Sequence, residues 1–175
     1  MRVVGLDLHP DRVSAVEIDT AFGRFELRDT HEVQVQEGSS PEATAHQMLS
    51  NFQRRGERLV CSVPAEISTF RNLQIASKDK KAVRSALEFE LEDDLPFEKD
   101  NLHYDSVTLS SGNQGSLIHV GAAKKESFQN FLKNLNEQGI DPETITTDPW
   151  AYRSLLQRIA PQTPILLVGL ERNKT

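Results

Sequence analysis

Three runs of alternating apolar and polar positions open the chain. Residues 2–8, 13–19 and 25–36 predict strands, the last interrupted by polar residues. Val13 and Ala15, then Phe25 and Leu27, recur at every second position, the spacing of a strand with one buried face. The connections His9-Pro10-Asp11 and Ala21-Phe22-Gly23 are short, so the three strands form an antiparallel meander. A helical period follows. Ser39 and Glu42 have capping-box spacing, Pro41 suits a first helical turn, and Ala45, Met48, Leu49 and Phe52 form one apolar face. Arg54-Arg55-Gly56 closes this helix, with positive charge at the negative end of the dipole and a glycine free to take a left-handed cap. Residues 59–63 predict a short buried parallel strand that stops at Pro64.

After Pro64 the pattern changes. Residues 70–75 predict a strand, and 77–95 a helix stopped by Pro96, with Ala82, Val83, Ala86, Leu87 and Leu91 inward. Residues 102–109 and 117–123 predict strands joined by a loop over 110–115. A second helix is expected over 124–138, with Phe128, Phe131, Leu132 and Leu135 on one stripe and Gly139 at its end. Residues 143–146 predict a last strand. The order βαββαβ implies a small α+β sandwich, two helices on one face of a sheet, inserted into the first unit. Asp148-Pro149 then opens a helix with Tyr152, Leu155, Leu156 and Ile159 inward. The apolar run 164–170 predicts a buried strand with five residues after it, the first element of a further part expected beyond residue 175. The expected fold class is α/β: an actin-like (ribonuclease-H-like) unit of residues 1–65 and 147–175, with an inserted α+β unit over 66–146.

Composition narrows the function. Of 175 residues, 20 are Lys or Arg and 26 are Asp or Glu, and the net charge of −6 argues against binding a nucleic-acid backbone. One cysteine, Cys61, excludes an intramolecular disulfide and a cysteine-rich zinc site. The first apolar run is only a few residues long and is broken by Asp7, unlike a signal peptide. No stretch reaches the ~18–20 apolar residues of a membrane span. The expectation is a cytoplasmic chain.

Catalytic motifs are missing: there is no G-x-x-x-x-G-K-[ST], H-E-x-x-H, G-x-S-x-G or G-x-G-x-x-G. His9, His31, His46, His103 and His119 are scattered, the pattern of singly bonded or solvated histidines. Cys61, inside an apolar strand, reads as a small hydrophobe. Asp7 ends a buried strand, where a carboxylate either holds a metal-bound water or caps the turn. Glu88, Glu90, Glu92, Asp93 and Asp94 crowd the end of a predicted helix, where the macrodipole disfavours negative charge. They form either a solvated face or a docking surface for a basic partner.

Gly5-Leu6-Asp7-Leu8 through Val13-Ser14-Ala15-Val16-Glu17-Ile18 resembles the opening of PilM-type proteins of type IV pilus machines and of the GspL proteins of type II secretion. Val63-Pro64, the helix from Ala82 to the Pro96-Phe97 stop, and Leu102-His103-Tyr104-Asp105 resemble the middle of that family. Val120-Gly121-Ala122-Ala123-Lys124 and Gly139-Ile140-Asp141-Pro142 continue the likeness. The resemblance implies an actin-like fold with subdomain 1A and an inserted subdomain 1C, and a second half after residue 175.

Two departures bear on activity. ATP-binding members have an Asp-x-Gly turn after the first strand; here His9 takes the glycine position, Pro10 follows, and Ser14 stands at the family lysine. The second phosphate turn aligns with Gly169-Leu170-Glu171, with a carboxylate where glycine belongs. The expected function is therefore a non-enzymatic scaffold without cofactor, at the inner membrane of a secretion or pilus platform. It docks the assembly ATPase through Glu88, Glu90, Glu92, Asp93 and Asp94. Other platform proteins are implied partners, and a homodimer is left open. The alternative is an ATP-binding PilM-type protein, with Asp7 on a magnesium-bound water and His9 and Ser14 lining the pocket. A two-metal nuclease using Asp7 and Asp148 is a third reading, opposed by the acidic charge.

Overall fold

The computed structural model describes residues 1–50, 57–94, 101–159, 165 and 167, with 92–94 described by backbone alone. Phe52, the helix-closing Arg54, Arg55 and Gly56, the Pro96 stop and the turn 169–171 lie outside the described residues. So does the run 164–170, apart from Ile165 and Leu167, which are in no strand and about half exposed.

The strands are β1 (Arg2–Leu8), β2 (Arg12–Ala21), β3 (Arg24–Gln34), β4 (Arg58–Ser62), β5 (Ser68–Ile75), β6 (Leu102–Gly112), β7 (Gly115–Lys124) and β8 (Thr144–Thr146). The helices are α1 (Pro41–Ser50), α2 (Lys80–Asp94), α3 (Lys125–Glu137) and α4 (Asp148–Ile159). Two sheets result, one ordered β3-β2-β1-β4-β8 and one ordered β5-β7-β6.

The expected meander is present. Leu6 lies opposite Ala15 and Leu8 opposite Val13, so the apolar residues of β1 and β2 share one face. Phe22 and Gly23 close the β2–β3 hairpin with φ of 50° and 74°, the positive values a type I′ turn requires. α1 starts one residue later than the capping-box spacing suggested: Ser40 Oγ accepts the Ala43 N–H at 3.1 Å, leaving Pro41 at the first helical position.

The main core lies between the larger sheet and two helices. Leu6, Leu8, Val13 and Cys61 face Ala45, Met48 and Leu49 of α1 and Phe131 and Leu135 of α3. Gly139, with φ of 67°, ends α3 and turns the fully buried Ile140 back into this core. A second core joins the smaller sheet to α2 through Leu73, Ile75, Leu87, Leu91, Ile118 and Val120.

The inserted stretch keeps the βαββαβ order, but its last members serve the other sheet. β8 runs parallel to β4, which needs a long crossover, and residues 63–143 are that crossover. The Val63 N–H donates to Thr146 O at 2.8 Å and the Glu143 N–H to Leu59 O at 3.0 Å, tying the return in place. Phe131 and Leu135 of α3 therefore bury in the core of the larger sheet, α3 also lies against β6 and β7 with Phe128 stacked on His103, and α2 packs on the smaller sheet.

Three local expectations fail. β6 runs on through Ser110, Ser111 and Gly112 to a two-residue turn, Asn113-Gln114, because Gly112 pairs with Gly115. Phe25 and Leu27 are 53% and 63% exposed, since β3 is an edge strand. Tyr152, Leu155 and Ile159 of α4 point outward at 42%, 52% and 65% exposure. The Arg158 guanidinium covers the Phe25 ring at 3.6 Å and donates to Gly23 O, so it is the polar side of α4 that touches the β2–β3 hairpin.

Gly115 has φ of 102°, and a Cβ there would sit 2.0 Å from the Ile75 carbonyl oxygen. Gly115→Ala is expected to cost more than the ~1–3 kcal/mol of backbone strain alone. Gly112→Ala, whose Cβ meets nothing within 4 Å, is expected to change stability by less than about 1 kcal/mol. Urea unfolding of the two variants checks the contrast.

Candidate functional site

The first candidate lies where β1 ends. Asp7 and Ser14 are direct neighbours across the β1–β2 ladder, on the face opposite Leu6, Leu8 and Val13. Ser62, at the end of β4, donates its hydroxyl to Asp7 Oδ1 at 2.6 Å. Ser14 Oγ donates to Glu32 Oε2 at 3.3 Å. The structure thus brings Asp7 and Ser14 together and adds Ser62 and Glu32. Ser62 had one signal in the sequence: a small hydroxyl at the end of a strand running parallel to β1.

His9 is 2% exposed, and its Nδ1 is bonded to Asp11 Oδ1. That hydrogen bond is the first cause of an Asp11 carboxyl held below the usual carboxylate range. The turn closes on itself: the His9 N–H donates to Arg12 O at 2.9 Å and the Arg12 N–H to His9 O at 3.3 Å.

An actin-like fold raises the question of nucleotide and magnesium. A phosphate cradle needs free backbone N–H groups and room for close approach. Here two N–H groups are used within the turn, Pro10 has none, and the carboxylates of Asp11 and Glu32 flank it. These residues do not fit a phosphate chain. Among the described residues no three His, Cys, Asp or Glu side chains gather as metal ligands.

The remaining histidines each have a partner of their own and do not gather. His46 Nδ1 lies 2.7 Å from Gln138 O, His119 Nδ1 2.7 Å from Asn72 Oδ1, and His103 stacks on Phe128. His31 Nε2 lies 3.2 Å from Asp29. Burial, with Arg153 nearby, lowers the His119 pKa. Burial pushes the Cys61 thiol up to about 12, so it stays protonated and inert.

The acidic stretch is on α2, as expected. Glu88 is half-buried, with Tyr104 Oη 3.5 Å and Arg84 Nε 3.8 Å from its carboxylate. Glu90 is exposed, and its neighbour Phe89 is 65% exposed. The side chains of Glu92, Asp93 and Asp94 lie outside the described residues.

A third place was not foreseen. Between the two sheets is a cleft of about 140 Å³, lined by Val63, His103, Phe128, Ile145, Thr147 and Trp150 among others. Most of this wall is apolar. Two of the lining residues carry buried polar atoms, the Trp150 indole nitrogen and the Thr147 hydroxyl oxygen, that have no hydrogen-bond partner among the described residues. Nothing in the sequence pattern marks the cleft, because its walls come together only through the β4–β8 pairing.

The chain was compared with known proteins. The family model described as "Type II secretion system (T2SS), protein L" matches residues 23–152. No curated protein matches. Among solved structures, a PilM-PilN type IV pilus biogenesis complex is similar with a TM-score of 0.73 and 20% identity, over 91% of this chain and 52% of that one. The cytoplasmic domain of EpsL, an inner membrane component of the type II secretion system of Vibrio cholerae, is similar with a TM-score of 0.57 and 15% identity. That match covers 85% of this chain and 58% of the other. The chain therefore spans little more than half the length of either, and it shares their mixed α/β actin-like fold.

At neutral pH the His9–Asp11 contact stabilises the turn. The Asp11 pKa is lowered on folding, so this stabilisation is present above the unfolded value of ~3.9 and is lost as pH falls through the folded value. Asp11→Asn is expected to lower the urea midpoint at pH 7, with the difference closing below about pH 4.

Proposed function

We propose that this chain, which belongs to the type II secretion system protein L family, is a non-enzymatic scaffold of a secretion platform. It grips two protein partners. One is another platform component, seated in the cleft between the sheets. The other is the assembly ATPase, docked on the acidic end of α2. We place the scaffold on the cytoplasmic face of the inner membrane. No described helix is long and apolar enough to cross a membrane. We also read β5, α2, β6 and β7 as the inserted subdomain 1C, and the larger sheet with α1, α3 and α4 as subdomain 1A.

The orphaned donors of the cleft carry this reading. A buried N–H or hydroxyl without a partner costs about 1–3 kcal/mol, and a polar group from outside removes that cost. An extended segment suits the site: its carbonyl oxygens accept from Trp150 and Thr147 while its side chains meet Val63, Phe128 and Ile145. The solved PilM structure is a complex with PilN, so a member of this fold does hold a second protein. The closed turn at His9–Arg12 supports the non-enzymatic part, since the His9 and Arg12 N–H groups bond within it and Pro10 has none.

Trp150→Phe keeps the ring and deletes the donor. It is expected to weaken binding of the platform partner about tenfold in titration calorimetry while leaving ATPase binding unchanged. Reversal of Glu90, Glu92 and Asp93 to lysine is expected to do the converse. If neither variant changes either affinity at low salt, both contacts are misassigned.

A further inference from the structure

A second groove lies between the first half of α2 and strand β6, and it shares His103, Tyr104 and Asp105 of β6 with the cleft. Its volume is about 760 Å³. Val83 and Leu87 of α2 with Leu102 and Tyr104 of β6 form an apolar wall. Ser106 and Thr108 continue it along β6, and Lys78, Lys80 and Arg84 stand at the rim.

Two features make this groove incomplete. First, β6 is an edge. The sheet order β5-β7-β6 gives it β7 on one side and no strand on the other among the described residues. It is eleven residues long, and a strand of that length with one open side is a template for another chain. Second, its charge is out of character with the chain. The molecule carries −6, yet residues 78–84 hold Lys78, Lys80, Lys81 and Arg84. Among the described residues Lys78 and Lys80 make no ion pair, and Arg84 is 81% exposed beside Glu88 at 3.8 Å. The only acid near the start of α2, Asp79, has its carboxylate on the N–H groups of Lys81 and Ala82. The positive end of the helix dipole adds to the same field. Asp105, which also lines the groove, and Glu88 are the acids that oppose it.

We propose that this groove binds an extended acidic segment of a partner protein, laid beside β6 as a fourth strand of the smaller sheet. Strand addition explains the geometry: a new strand sits about 4.8 Å from β6 and satisfies its open backbone edge. The face turned to α2 explains the chemistry. Side chains at every second position of the added strand point to that face, apolar ones toward Val83, Leu87 and Tyr104 and acidic ones toward Lys78, Lys80 and Arg84. The site does not rest on the scaffold reading above, because it needs neither Trp150 and Thr147 of the cleft nor the acidic end of α2.

The test uses the whole chain and a blocked eight-residue peptide, Thr-Glu-Thr-Val-Thr-Glu-Thr-Val, which carries glutamate and valine on one strand face, followed by titration calorimetry. Saturable binding is expected, weakening as salt is raised. The same peptide with lysine for glutamate is expected to bind at least tenfold more weakly. Lys78→Glu/Lys80→Glu/Arg84→Glu, with folding confirmed by circular dichroism, is expected to lose at least tenfold for the glutamate peptide. N-methylation of alternate backbone nitrogens, made in both phases, is expected to abolish binding in one phase and not the other. No binding of the glutamate peptide, equal binding of both peptides, no effect of the triple variant, or indifference to N-methylation in both phases would each overturn the proposal. None of these outcomes bears on Trp150 or on the acidic end of α2.

Discussion

The parallel pairing of β8 with β4 is the constraint on which the rest of the structure depends. A parallel neighbour cannot be reached by a tight turn, so the whole of residues 63–143 must leave the larger sheet and return to it. That excursion is long enough to build a sheet and two helices of its own. The return brings α3 back over the main core and sets β8 beside β4. The cleft between the sheets follows directly, because Val63, Ile145, Thr147 and Trp150 gather at the end of the β4–β8 pair and face His103, Gly121 and Ala123 of the smaller sheet.

The same arrangement separates two tasks that an actin-like fold can perform. Nucleotide chemistry in such a fold belongs at the end of β1, and here that corner is filled by its own bonds. Asp7 is held by Ser62, His9 by Asp11, and the backbone of the turn by itself. These bonds favour a rigid corner over an open one. The cleft on the other side of the β4–β8 pair has the opposite character, with apolar walls and two unanswered polar atoms. Polar groups left unpaired in a buried wall are costly, and a chain that binds a partner there recovers that cost on association.

Much of the fold was legible in the residues. The meander, α1, β4 and the βαββαβ order follow from periodicity, Pro64 and the paired turns, because those are local signals. Pairing between distant strands is not local, so the place of β8 beside β4 was missed; Phe131 and Leu135 show a stripe, and a stripe does not say which core it enters. Alternation misled at Phe25 and Leu27, and helical period misled at Tyr152, Leu155 and Ile159. In both cases the apolar pattern is real but those side chains remain about half exposed or more, Phe25 meeting only the Arg158 guanidinium of α4 in a ring contact. At the site, Asp7 was legible from the strand end and Ser14 from the resemblance, while Trp150 gave no sign. A lone indole reads as core, and only the fold shows that Trp150 lines a cleft.

Trp150 also supplies the most direct measurement, since it is the chain's one tryptophan and its indole N–H gives a single resonance in a ¹H–¹⁵N spectrum. On titration with the platform partner, the account predicts a downfield proton shift of that resonance and slower exchange with solvent, as the orphaned donor gains an acceptor. A partner that binds the chain and leaves the indole resonance unmoved and its exchange unchanged would contradict it.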